Sequence, residues 1–144
     1  PIIPDPKADE GEHQFTYALY PHEDDWRAGT IEEAADLNTP PIAYAVDSHE
    51  GVAPNNGIYM LVESDHVVLD TVKRAEDSKA IIIRMYEAQG MRGDVSVFIG
   101  EHLGKVTECD LMEENDTPIT RVEDGGFTFF IKPYELRTFK ITYK

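Results

Sequence analysis

Short β-rich runs, closely spaced and divided by glycine turns, restrict this chain to few folds. Strand-type residues recur at 42–46, 58–62, 66–72, 80–86 and 95–99, and further runs follow to the end. Asn56-Gly57, Gly90, Gly93, Gly100, Gly104 and Asp124-Gly125-Gly126 punctuate them. Asn-Gly and Asp-Gly steps between such runs are hairpin signals, because they tolerate the positive φ that a tight loop between twisted strands demands. Many short strands at this spacing predict an all-β sandwich or barrel. Residues 122–132 alternate, with Phe127, Phe129 and Ile131 on one face, and residues 136–143 add a row of Phe139, Ile141 and Tyr143. Ile81-Ile82-Ile83 is apolar on both faces, as expected of a central strand covered on both sides, one cover coming from outside this chain.

At 144 residues the chain is long enough for one buried core and too short for two ordinary domains. Residues 1–12 carry three prolines and four acidic side chains and read as an extended lead-in or severed linker, leaving 13–144 as a single domain. From residue 13, Phe15, Tyr17 and Leu19 alternate with polar or small residues, the pattern of a half-buried strand, and Pro21 ends it. Thr30 followed by Glu33 predicts a capping box, and Ile31, Ala34, Ala35 and Leu37 then fit one short helix near the N-terminus that stops before Pro40.

Thirteen basic against twenty-eight acidic residues give a formal charge of −15. That charge argues against binding nucleic acid through its phosphates and against docking on an anionic membrane, and it suits a neutral partner such as a sugar. The lone Cys109 excludes an internal disulfide and a cysteine-based zinc site, which favours a cytoplasmic protein. No apolar run approaches the roughly 18 residues of a membrane span, and the first residues lack the pattern of a signal peptide. A start at Pro1 rather than methionine is expected of a piece of a longer protein.

Retaining glycosidases need two carboxyl groups about 5 Å apart. No pair stands out among so many acids, so no catalytic carboxylate is assigned. Five histidines, His13, His22, His49, His66 and His102, show no zinc-ligand spacing, and the acidic turns show no calcium-loop pattern. No metal site or cofactor is therefore assigned to these residues. The best functional candidate is the segment 20–26, where Tyr20, His22 and Trp26 stand among acids on a loop leaving a strand. Aromatic faces and carboxylates bind sugars, and loops on a rigid sandwich carry such groups; the same side chains would equally fix the loop against the protein itself. Arg84, between Ile83 and Met85, is a charge in an apolar strand and must find a carboxylate or face an interface.

The string DPKADEGEHQFTYALYPHEDDW at 5–26 resembles the opening of the C-terminal β-domain of glycoside hydrolase family 38, the α-mannosidases. The stretch VVLDTVKRAEDSKAIIIRMYEAQG at 67–90 and the ending IKPYELRTFKI at 131–141 agree with it. The resemblance implies an antiparallel β-sandwich serving as an accessory domain of an enzyme that hydrolyses terminal α-mannosides with retention. It places the zinc ion and the nucleophilic aspartate in a preceding catalytic domain with no counterpart among these residues. The implied partners are that catalytic domain and an α-mannoside, with homo-oligomerisation left open. Tyr20, His22, Trp26 and Arg84 are then candidates for a substrate cleft or a domain interface. A free-standing carbohydrate-binding module and a structural adhesion sandwich are the alternatives.

Overall fold

The computed structural model describes residues 8–51, 57–100, 102–123 and 125–143. Its contacts group into two units, Pro1–Asp47 and Ser48–Lys144. Most of the expected lead-in at 1–12 lies outside the described residues, as does the Asn56 half of the Asn56-Gly57 turn.

In the first unit the regular element is helix α1 (Thr30–Asn38). Its apolar positions predict it correctly, but the capping box is not formed. Gly29, at φ 86°, is the N-cap, and no side-chain oxygen caps the helix, because Thr30 is already its first helical residue. Glu32 and Glu33 lie in the first turn, where negative charge complements the helix dipole. The far end closes through Thr39 N–H to the Ala35 carbonyl at 2.7 Å, ahead of Pro40. The strands expected at 13–19 and 42–46 do not form. Phe15, Tyr17 and Leu19 are exposed, as are Ile42, Tyr44 and Val46. Alternation sets which way side chains would face but supplies no ladder partner, and none is present among the described residues of this unit.

The second unit is a two-sheet antiparallel sandwich, the fold class the sequence predicts. Its strands are β1 (Leu61–Glu63), β2 (Val67–Arg74), β3 (Ile81–Glu87), β4 (Gly93–Phe98), β5 (Leu103–Cys109), β6 (Thr117–Pro118), β7 (Val122–Glu123), β8 (Gly126–Ile131) and β9 (Leu136–Tyr143). One sheet runs β1-β4-β8-β7 and the other β2-β3-β9-β5-β6. The run at 58–62 contracts to β1, and the run at 122–132 is a hairpin, Glu123 pairing with Gly126 and Val122 with Phe127. The edge strand β2 shifts register between Leu69 and Thr71, a bulge of the kind that twists an edge away from further pairing.

The inner faces enclose Ile83, Met85, Val95, Val97, Phe127, Phe129, Ile131, Phe139 and Ile141. The Phe139 ring sits 4.9 Å from Phe127 and 4.6 Å from Phe129 in tilted packing, the arrangement favoured by ring quadrupoles. Strand β3 lies between β2 and β9, which accounts for its apolar character on both faces. Its outer-face Ile82 packs with Ala75, Ala80 and Cys109 in a second buried cluster. That cover belongs to the chain itself, contrary to the expectation of an external one. Among the described residues no helix is long and apolar enough to cross a membrane.

Candidate functional site

The segment 20–30 of the first unit is organised by short-range contacts. The Tyr20 ring stacks on His22 with centroids 5.2 Å apart and planes 18° from parallel. His22 Nδ1 lies 3.0 Å from the Glu23 carbonyl, and its Nε2 lies 3.4 Å from Thr30 Oγ1. A carbonyl can only accept, so a neutral His22 donates from Nδ1 and leaves Nε2 to accept from the Thr30 hydroxyl. Trp26, 42% exposed, is covered by the Arg27 guanidinium, 4.6 Å from its ring centroid. Asp25 anchors that arginine through its backbone N–H at 2.9 Å and its guanidinium at 2.6 Å. The Arg27 backbone N–H, and then the guanidinium against a little desolvation, hold the Asp25 carboxyl below the usual carboxylate range. Leu19 and Tyr20 form with Ala34 and Leu37 of α1 a mainly apolar cleft of about 420 Å³. Tyr20 and His22 are thus brought together, while Trp26 turns to Arg27.

Arg84 belongs to the second unit and points out from β3 beneath residues 110–116, the loop that follows β5. Its Nη2 donates to the Leu111 carbonyl at 3.1 Å and lies 3.6 Å from Glu113 Oε1. Of the two outcomes the sequence allows for this arginine, the carboxylate partner is present. Glu113, 5% exposed, is the hub of this face. Its Oε1 pairs with Lys73 Nζ at 2.7 Å, and its Oε2 accepts the Glu76 backbone N–H at 2.9 Å. Lys140 Nζ donates to the Glu113 carbonyl at 2.8 Å. The Lys73 ammonium first, with the Glu76 N–H, holds the Glu113 carboxyl below its ordinary range, and the same contact raises Lys73. Asp110 shapes the loop by accepting the backbone N–H groups of Met112 and Glu114 and the side-chain amide of Asn115. Arg84 demanded a carboxylate, but nothing in the sequence singles out Glu113 among so many acids.

A second buried carboxylate, Glu87, closes one end of the sandwich. It is 1% exposed and accepts N–H bonds from Gln89, Gly90, Met91 and Tyr134 at 2.8–3.0 Å. Glu87 N–H in turn donates to the Glu135 carbonyl at 3.0 Å, and Lys132 N–H donates to the Glu135 carboxylate at 2.8 Å. The β3–β4 and β8–β9 turns are therefore locked together, with Tyr134 over Gly90, where a Cβ would fall 2.7 Å from the tyrosine hydroxyl. Among the described residues no group of three or more His, Cys, Asp or Glu could hold a metal ion.

Among the described residues the two buried carboxylates, Glu87 and Glu113, both serve the loops and turns of the two-sheet antiparallel sandwich itself, and that sandwich is the class of domain the fold defines. The chain belongs to the family of the glycosyl hydrolases family 38 C-terminal beta sandwich domain, which residues 66–139 match. It is 35% identical over 144 residues to alpha-mannosidase 2C1 of Mus musculus, covering 96% of this chain and 14% of the relative. Alpha-mannosidase 2C1 of Homo sapiens is 38% identical over 120 residues, covering 81% and 11%, and alpha-mannosidase G of Dictyostelium discoideum is 27% identical over 150 residues, covering 97% and 13%. The chain thus spans only 11–14% of the length of these relatives.

Proposed function

We propose that residues 13–144 form the C-terminal accessory portion of a retaining α-mannosidase, supporting a catalytic part that carries the zinc and the nucleophile. The observation that supports this role is the employment of Glu87 and Glu113, the two buried glutamates among the described residues, in holding turns and loops. A retaining glycosidase must instead present a carboxylate pair to the scissile bond. Tyr20, His22 and Trp26 serve as an interface with the catalytic part or one wall of its substrate cleft, and in the second unit Arg84, which holds the 110–116 loop, has a role of the same kind at its own surface. The substrate is a terminal α-mannoside, with neither nucleic acid nor membrane as partner. The setting is cytoplasmic, in keeping with a single cysteine, Cys109, whose thiol burial pushes up. Homo-oligomerisation of the full enzyme is compatible with this role.

The test is hydrolysis of a chromogenic α-mannoside, with and without added zinc, by this chain and by a longer form that includes the catalytic part. Activity confined to the longer form is the expected result. Turnover by the 144-residue chain itself would overturn the reading. Quenching of Trp26 fluorescence by mannose or short mannosides would instead indicate a carbohydrate-binding module.

A further inference from the structure

Two stretches of the first unit have the side-chain pattern of strands and no ladder. Phe15, Tyr17 and Leu19 are 82%, 80% and 91% exposed, and Ile42, Tyr44 and Val46 are 77%, 81% and 75% exposed. The alternation is strict, with Thr16 and Ala18 between the first three and Ala43 and Ala45 between the second. The Phe15 and Tyr17 rings lie 6.4 Å apart, as residues i and i+2 do on one face of a strand. A solvated linker has no use for six large apolar groups on period-2 faces, and contiguous exposure of this kind marks a surface meant for contact. Each run also has an ordinary strand length.

The C-terminal sandwich family accounts for residues 66–139, yet similarity to the mouse relative spans 96% of this chain. Most residues ahead of position 66 therefore align with that relative while lying outside the span that the sandwich family matches. Only 14% of the relative is matched, so the bulk of its chain is available as a neighbour.

We propose that residues 13–19 and 42–46 are strands contributed to a β-sheet of the part of the enzyme preceding the C-terminal sandwich, their apolar rows completing that part's core. This rests on the reading of the chain as a portion of a longer α-mannosidase. Under it the first unit is an inserted piece of the neighbouring domain, and the main-chain hydrogen bonds it lacks are made there.

Amide hydrogen exchange on the longer protein and on the 144-residue chain tests the proposal. Amides of 13–19 and 42–46 should exchange at least ~100-fold more slowly in the longer protein, while those of β3 and β9 behave alike in both. Equally fast exchange in both proteins would make these stretches linkers and overturn it. Slow exchange in the shorter chain would also overturn it, because the pairing would then be made without the preceding part. The variant Tyr17→Asp should lower the unfolding midpoint of the longer protein, or its soluble yield, and leave the shorter chain unchanged; no effect on either would count against the proposal. Exchange protection and mannoside turnover are separate readouts. Protection without turnover would spare the strands and refute the enzymatic reading, and turnover without protection would do the reverse.

Discussion

Glu87 is where a single side chain holds the most structure together. Burial works against its charge, but the backbone N–H groups of Tyr134, Met91, Gln89 and Gly90 outweigh that penalty and hold its carboxyl below the ordinary range. A carboxylate with a depressed folded pKa contributes stability that is complete above the unfolded value, about 4.3. That contribution is lost as pH falls through the folded value. Glu87→Gln should therefore destabilise the chain at neutral pH by about 2–3 kcal/mol, since a neutral amide oxygen replaces a charged acceptor for four donors. Urea unfolding at pH 7, 5 and 3.5 should show the two proteins converging as the medium becomes acid. A gap that stayed constant with pH would mean that folding leaves the affinity of the Glu87 carboxyl for its proton unchanged. The sequence offered less here than at Arg84, whose apolar flanks announced a buried charge; Glu87 ended a strand and gave no sign of which face it occupied.

The same strands show how an element depends on what its neighbour's backbone permits. Gly126 opens β8 opposite Phe98 of β4, and a Cβ built there would fall 2.5 Å from the Val97 carbonyl oxygen. Main chain in a paired strand does not yield as a side-chain tip would, so Gly126→Ala should cost about 1–3 kcal/mol by forcing the β4–β8 pair apart. Gly93 opens β4 with nothing within 4 Å of its Cβ position, and Gly93→Ala should stay within about 0.5 kcal/mol of the parent. Similar losses in both variants would refute the steric account. The elements best read from sequence were those with strand residues bounded by turn residues, such as β3 and β9, where local pattern and burial agree. At 13–19 and 42–46 the same alternation produced no strand, because a strand's existence depends on a partner that a local pattern does not contain. The helix was legible from its apolar spacing, whereas its cap, a matter of one residue's backbone angles, was not.

At the scale of the whole chain, the placement of the core decides what must be kept for folding. Every member of the two buried clusters, from Val67 to Ile141, belongs to the second unit. None of the described residues from 8 to 47 is buried. Only Phe127, Phe129 and Phe139 are buried among the described aromatics. Composition reveals how much apolar surface a chain owns and not where it is spent. Folding free energy comes mainly from area withdrawn from water, and a domain of about 100 residues can hold enough of it to fold alone. A chain beginning at Ser48 should therefore keep the β-sheet circular dichroism of the parent and an unfolding midpoint within about 2 °C of it. Thermal unfolding of the two chains side by side checks this. A midpoint lowered by more than about 5 °C, a difference of roughly 1 kcal/mol for a domain of this size, would show that residues 1–47 contribute to the stability of the sandwich. An unchanged midpoint would mean that the exposed rows at 13–19 and 42–46 owe their sequence to something other than the folding of this domain.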